Sequence, residues 1–587
     1  MDPAGTSNSS SVARPFASRG FWLTVLAIVV VSLPALALGW MDDDAIHRAM
    51  LGGQLGGPEY GLDEAYCFVG GPNHRDPVWD LWWAEPGARL CFFRPLASYT
   101  LALDHWLFAD HPLGAHLHSF VWFALTLAGI HALGRRLFDH HVATLAVAIY
   151  GLANFSGSTV AWVASRHAIV TAALSALAIA LYVAGREDRN HRRAIAGIVA
   201  LVGSFLAGEG ALGGFAFVVA YEATRADDAP RTRLVYAGVA ATLAIVYVGL
   251  YSLLQFGANT GGYLNPFHAP GEFVAALPGR LIALSADAVL GVPSDGWLSP
   301  AARPALVALG LLGALLVLVV ARLGAGARGP RERRLLRFLL LGALLAGLPS
   351  AASVLGGRVL MVPGIGLCLA FALVLRSARD RGQQLTGPRR AGAMVAVGLL
   401  SLGLFGLSPL FRVVTALEYF TIVEAERALA ASNLEDCRES RHFLVLGTNE
   451  LTVGLYARFL LTPQIAGRSY HHIAHSDGDL SLTRLSDREL RVTTSAGNVV
   501  AGVLFEELRR SRQPFPADRR IPIGDANITV EDASPVGVRT FVVETAQPAD
   551  DPAICWLHYD GERLVRTRIP EVGASATLQY VAGPLSF

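Results

Sequence analysis

The chain contains no lysine; each of its 48 basic residues is an arginine. Charge of either sign is scarce. Charged residues make up 16% of 587 and hydrophobic ones 53%, with a mean hydropathy of +0.43. This excludes a soluble chain of ordinary make-up and indicates a polytopic membrane protein. A net charge of +1 leaves no basic excess for a nucleic-acid partner. No internal repeat is visible, which excludes a solenoid, and the 30 prolines form no low-complexity run. Cysteine is rare, with five residues.

Long apolar runs are abundant. The first, Phe21–Leu38, is about long enough to cross a bilayer. Arg14 and Arg19 precede it, and Ala35-Leu36-Ala37 resembles a signal-peptidase site. The length of the run and the many spans after it favour an uncleaved helix. Residues 1–20 then form a cytoplasmic N-terminal segment.

Directly after this run comes Trp40-Met41-Asp42-Asp43-Asp44-Ala45-Ile46-His47-Arg48. Three adjacent carboxylates at a helix exit repel one another, so the site must stay wet, hold a cation or keep a proton. The alternative is a solvated helix end. Residues 41–112 are too polar to span. Their tryptophans Trp79, Trp82, Trp83 and Trp106 suit a loop lying on the membrane surface.

Ten more spans are expected, at Leu113–Leu133, Val142–Asn154, Ala168–Ala184, Ala194–Leu206, Ala211–Tyr221, Leu234–Leu254, Ala305–Val320, Phe338–Leu348, Val359–Leu375 and Ala391–Leu410. Between them lies a second outer loop, 255–303, with a re-entrant piece around Leu281–Leu290. The fold class is thus an α-helical polytopic membrane protein of about eleven spans, covering 21–410. Arginines crowd the loops assigned to the inside, which orients the bundle and leaves the C-terminus outside. Asp42, Asp43, Asp44, Arg94, Arg166, Glu209 and Arg358 then all fall at outer ends. Arg166 and Arg358 also suit simple headgroup anchors. Glu209, in an apolar hairpin, is harder to explain structurally. His111, His116 and His118 invite a metal, but 116 and 118 point apart on a helix.

The order of these motifs resembles the GT-C superfamily of polytopic glycosyltransferases, in particular the membrane half of tetratricopeptide-bearing O-mannosyltransferases and their bacterial relatives. The matching pieces are Asp42-Asp43-Asp44-Ala45-Ile46, Arg94-Pro95-Leu96, Val160–Arg166, Gly208-Glu209 and Gly357–Gly366. The chain departs from the pattern in several places. A lysine before Glu209 and a glutamate before Arg358 are both glycine here. Ser119 and Phe123 replace an asparagine and a histidine, and no tetratricopeptide repeats follow.

The resemblance implies transfer of a sugar from a polyprenyl-phosphate donor to an extracytoplasmic glycan, lipid or protein, with inversion at the anomeric carbon. It implies a bacterial inner membrane, a carboxylate base from Asp42–Asp44 with Asp43 favoured, and Arg358, Arg166 and Arg94 on the donor phosphate. Glu209 is a further site residue. Some members use a divalent cation, which Asp42 and Asp43 can ligate. Broken hairpins and intramembrane carboxylates also occur in secondary transporters, and a non-enzymatic scaffold or sensor with a binding tail is a third class.

The tail differs in composition. Residues 411–432 read as an amphipathic helix continuing the last span, and 433–587 as a β-rich extracytoplasmic domain with alternating runs and a hairpin signal at Asp560-Gly561. His471, His472 and His475 have loop spacing and suit the surface. Shared compartment and even number allow two disulfides, 67–91 and 437–555.

Overall fold

The computed structural model describes residues 19–54, 61, 64–70, 81–85, 87–109, 111–225, 227–448, 452–476, 478–494, 497–500, 509 and 519–582. Arg14 with its segment, and Trp79, lie outside the described residues.

The helices are α1 (Arg19–Leu36), α2 (Asp43–Leu51), α3 (Pro95–Phe108), α4 (Pro112–Leu137), α5 (His140–Leu152), α6 (Asn154–Ala161), α7 (Arg166–Glu187), α8 (His191–Ser204), α9 (Ala211–Thr224), α10 (Pro230–Leu253), α11 (Pro270–Leu290), α12 (Arg303–Leu323), α13 (Pro330–Ser350), α14 (Pro363–Gln384), α15 (Gly387–Leu402) and α16 (Ser408–Ala430). Proline opens α3, α4, α10, α11, α13 and α14, where its missing N–H leaves no hydrogen bond unmade. α7 runs through the middle of the bundle. α8 packs closely on it because position 197 is glycine; a Cβ there would lie 2.7 Å from the Tyr182 nitrogen.

Among the described residues, seven helices are long and apolar enough to cross a membrane, or eight with the bent pair α5–α6. The difference from the expected eleven has physical causes. α8 and α9 have 14 residues each, about 21 Å of helix, short of a core of about 30 Å. α13 and α14 are 21 and 22 residues long, but α13 starts in Arg331-Glu332-Arg333-Arg334 and α14 ends through Arg376, Arg379 and Arg381. Conversely, residues expected mostly as loop form the 21-residue α11. Gly310 packs on Ile282 and Gly313 on Val289, so α11 and α12 run parallel. The link between them doubles back at Gly291, whose φ is 74°, and α11 returns to the end it came from.

The last span and the connecting helix are one rod, Gly387–Ala430, 44 residues long, with a widened turn at Gly403–Leu407 between α15 and α16. The bend of 53° between α5 and α6 contains no proline. It is held by α16. Arg412 donates to the Gly151 carbonyl at 2.7 Å and to Ser32 Oγ at 2.6 Å, and Ser408 Oγ accepts from the Asn154 N–H at 3.0 Å.

Two sheets sit beyond the helices, and a third is small. The small antiparallel sheet joins β1 (Cys67–Val69), β2 (Arg89–Cys91) and β3 (Gly257–Asn259), with β2 in the middle, so the two long loops share one sheet. Cys67 and Cys91 form a disulfide across it. The C-terminal region comprises β4 (His442–Thr448), β5 (Ser469–Ser476), β6 (Leu480–Arg484), β7 (Glu489–Thr494), β8 (Arg520–Ile523), β9 (Ala526–Ser534), β10 (Gly537–Thr545), β11 (Ile554–Tyr559), β12 (Leu564–Arg566) and β13 (Ser575–Leu578). Six form an antiparallel sheet, β13-β6-β7-β10-β9-β8, and four a mixed sheet, β12-β11-β4-β5, in which β11, β4 and β5 are parallel. Asp560-Gly561 turns β11 into β12, and Cys437 bridges Cys555.

The parallel strands are covered on both faces, as such strands require. Leu444 and Leu446 join the core with the six-stranded sheet, while Phe443 and Val445 face the core that holds Leu429. This overturns the surface reading of the tail histidines. They lie in β5, with His472 at 2% and His475 at 1% exposure. The first loop is what covers them. Trp82 Nε1 donates to the Ile473 carbonyl at 2.9 Å, and the fully buried Trp83 lies against the His472 and His475 rings. Trp82 and Trp83 are therefore docking residues between loop and strands. Trp106 is 78% exposed.

Arg412 generates a test. Among the described residues no carboxylate pairs with it, and its guanidinium serves the carbonyls freed by the α5–α6 break. Arg412→Leu removes this donor from the Gly151 carbonyl, at about 1–3 kcal/mol. The variant should unfold at lower temperature in detergent. Melting identical to the parent would show that the break supports itself.

Candidate functional site

A cavity of about 750 Å³ lies where the helix ends meet the loops and the C-terminal region. Asp42, Asp43, Arg94, Glu209 and Arg358 line it, and it reaches past Glu418 and Thr421 of α16. Asp44 and Arg166 are not in its wall.

The three aspartates part company by backbone geometry. α2 begins at Asp43, and the residue before it, Asp42, has φ 51° and ψ −123°, a conformation costing a non-glycine residue about 1–3 kcal/mol. The Asp42 N–H is held by Glu426 Oε1 of α16 at 2.8 Å. This kink turns Asp42 and Asp43 toward the cavity and Asp44 away from it. Asp44, 2% exposed, accepts from the Ala164 N–H at 2.7 Å and the Met41 N–H at 3.2 Å. It ties the start of α2 to the turn before α7, and burial pushes its carboxyl up to about 7. Asp43 accepts a hydrogen bond from the Tyr456 hydroxyl at 3.0 Å. Burial raises its carboxyl above the ordinary range, against the pull of that hydrogen bond and of Arg358 and Arg94.

Arg94 stands just before Pro95 of α3. The Leu96 N–H donates to the Leu206 carbonyl at 2.8 Å, which pins this helix start beside the α8–α9 turn. Arg94 consequently meets Glu209, donating to Oε2 from Nε at 3.0 Å and from a terminal nitrogen at 2.8 Å. It also lies over the Phe92 ring, 4.1 Å from its centroid. Tyr251 donates to the other Glu209 oxygen. Gly208 has little spare room: a Cβ would lie 3.2 Å from Thr171 Oγ1 and 3.7 Å from Arg94 Nε.

Arg358 occupies a turn, Gly357–Leu360, before α14. A Cβ at position 357 would lie 2.6 Å from the Phe155 carbonyl, so the glutamate of the resembled pattern has no space and glycine is required. Arg358 lies over Trp162 at 5.7 Å. Among the described residues no carboxylate is within ion-pairing distance of it. Of the two cavity arginines, it is the one whose charge is not already taken by a carboxylate.

The expectation that Arg166 binds a phosphate does not fit its surroundings. It is 0% exposed, paired with Asp104 of α3, and donates to Ser119 Oγ at 3.1 Å and to the Ala115 carbonyl at 2.7 Å. Its chemistry is spent inside the protein, locking α3 and α4 onto α7. His118 joins the same network through Asp104 at 2.6 Å.

Several wall residues carry no sequence signal. Asp295 comes from the link after α11, Glu418 and Tyr419 from α16, and Leu455 and Tyr456 from the C-terminal region. Burial raises the Asp295 carboxyl. As for a metal, no three His, Cys, Asp or Glu side chains converge among the described residues. Asp42 and Asp43 offer two carboxylates, and a cation there would need its remaining ligands from substrate.

Comparison with known proteins bears on this arrangement. The family model for dolichyl-phosphate-mannose-protein mannosyltransferase matches residues 93–251, a stretch that contains Arg94, Arg166 and Glu209. No protein of curated function matches significantly. Solved structures with a similar course include the Archaeoglobus fulgidus oligosaccharyltransferase tethered with an acceptor peptide, at 10% identity over 78% of this chain and 64% of that one, with a TM-score of 0.41. ArnT from Cupriavidus metallidurans, bound to undecaprenyl phosphate, is 16% identical over 76% of this chain and 85% of its own, with a TM-score of 0.42. This chain therefore spans 64% of the length of the archaeal protein. The family match falls on the segment that builds the arginine and glutamate side of the cavity, and the chain is similar there to the dolichyl-phosphate-mannose-protein mannosyltransferase family.

Proposed function

We propose that the protein moves a sugar from a polyprenyl-phosphate donor to a hydroxyl of an acceptor, inverting the anomeric carbon, on the outer face of a bacterial inner membrane. The observation that carries this reading is the meeting of Asp43 and Arg358 in one cavity. Asp43 is the base, since it faces the cavity and its burial holds it closer to neutrality than an ordinary carboxylate. Arg358 receives the leaving group. The acceptor oxygen bonds to the anomeric carbon as its proton passes to Asp43. The bond from that carbon to the phosphate oxygen breaks, and its electron pair stays on the phosphate. The second negative charge that develops there meets a guanidinium fork, which makes parallel hydrogen bonds to phosphate oxygens.

Arg94 and Glu209 form the side wall, Glu209 keeping Arg94 in place. The family description supports a polyprenyl-phosphate donor, and the arginine-rich loops at the opposite ends of the helices support the orientation. The acceptor is a glycan, lipid or protein presented from outside. No step above runs through a divalent cation, for which Asp42 and Asp43 are the available ligands.

Two outcomes are expected in an assay of undecaprenyl phosphate released from undecaprenyl-phosphate-linked hexoses and pentoses. Arg358→Ala should lower kcat/KM by about 2–4 kcal/mol, and Arg358→Lys should recover only part, because it keeps the charge and loses the fork. Unchanged turnover and unchanged undecaprenyl phosphate binding in Arg358→Ala would return the residue to being a membrane anchor.

The aspartates should separate as well. Asp43→Asn should fold and not transfer. Asp44→Ala should keep the cavity side chains and lose about 1–3 kcal/mol of stability. Full transfer by Asp43→Asn would remove Asp43 from the base role.

A further inference from the structure

The C-terminal region enters the cavity through Leu455 and Tyr456. The Tyr456 ring is 5% exposed and belongs to the same packed cluster as Trp82, Trp83, Leu444 and Ile473. It therefore stands in the core that the C-terminal region shares with the first loop. Its hydroxyl donates to one oxygen of Asp43 at 3.0 Å. The charged groups around that carboxylate come from every side: Asp42 and Asp44 in its own turn, Arg94 from the start of α3, and Arg358 from the turn before α14. Arg94 and Arg358 act on it through space, whereas Tyr456 touches it. Tyr456 itself also faces Asp42 and Glu426.

We infer that Tyr456 is a positioning residue for Asp43, and that the C-terminal region is thereby part of the active site. This rests on the reading of Asp43 as the base. A carboxylate with one oxygen held by a hydroxyl donor has one rotamer and one free oxygen, and the free oxygen is the one that can meet the acceptor proton. The same hydrogen bond favours the ionised form. A tyrosine suits the task because its ring is locked by packing, so the donor does not move with the substrate.

The test is Tyr456→Phe in the full-length protein, which keeps the ring and removes the donor. The readout is the pH profile of undecaprenyl phosphate release from undecaprenyl-phosphate-linked hexoses and pentoses. Without the donor the protonated carboxyl is favoured, so the acid limb of the profile should move to higher pH by about one unit. Turnover should fall on the order of ten-fold below the limb and approach the parent rate at alkaline pH, with the donor KM little changed.

A loss of equal size at every pH would make Tyr456 a packing residue and overturn the inference, as would a profile identical to the parent's. The two readings fail differently. Asp43→Asn at the parent rate removes the base, and this inference with it. Asp43→Asn inactive with Tyr456→Phe unshifted leaves the base standing and removes Tyr456 alone.

Discussion

Three adjacent carboxylates cannot be buried in one environment, and the structure answers by giving each a separate one. Asp44 is turned inward onto two backbone N–H donors. Asp43 faces the cavity, held by a hydroxyl. Asp42 accepts a strained backbone whose N–H is fixed by a carboxylate from α16. The separation depends on the kink at Asp42. With an ordinary helical φ there, consecutive side chains would leave a single helix about a quarter-turn or more apart, and the hydrogen bonds that now distinguish them would not form. The strain at one residue is what lets a charged turn stand at the end of an apolar helix.

The buried arginines follow one rule with two outcomes. An arginine removed from water must find acceptors, because its charge is never given up. Arg166 finds Asp104 and three neighbouring oxygens, and Arg412 finds two carbonyls and two serines. Both are mechanical parts, holding helices where the backbone would otherwise leave polar groups unmatched. Arg94 is held by Glu209 across the cavity wall. Arg358 lines the cavity with an aromatic ring beside it and, among the described residues, no carboxylate within ion-pairing distance. An anion-binding role is distinguished from a structural one by this accounting rather than by position in the chain.

What the sequence exposed follows the same division. The acidic turn was readable because three carboxylates after an apolar run have few bland explanations, and Arg94, Glu209 and Arg358 because they fall at helix ends on one side. Arg166 could not be told from them, since its partner Asp104 lies 62 positions away and gives no local pattern. α11 was legible only in part: a re-entrant piece was expected around Leu281–Leu290, whereas the helix runs over 21 residues, Pro270–Leu290, and its packing parallel to α12 carries no local pattern. β5 was missed because His471, His472 and His475 count as polar in an alternation pattern, whereas a strand covered on both faces has no polar side. Tyr456 is a single aromatic residue in an unremarkable stretch; its meaning is entirely tertiary.

The last link in the arrangement is α16. Arg412 and Glu426 lie 14 residues apart on it, about 21 Å along the helix, and each fixes one half of the cavity. Arg412 packs along Gly157 of α6 and holds the carbonyls at the helix break. α6 in turn presents Phe155 to Gly357, where only a glycine fits, and that contact sets the turn carrying Arg358. Glu426 holds the Asp42 N–H and so sets the turn carrying Asp43. The proposed base and the proposed phosphate-binding arginine come from opposite ends of the sequence's membrane half, yet their separation is measured out by one rigid helix. Because α16 continues unbroken from the last membrane helix, a shift of that rod would move both groups together, and the spacing that an in-line displacement needs would survive it.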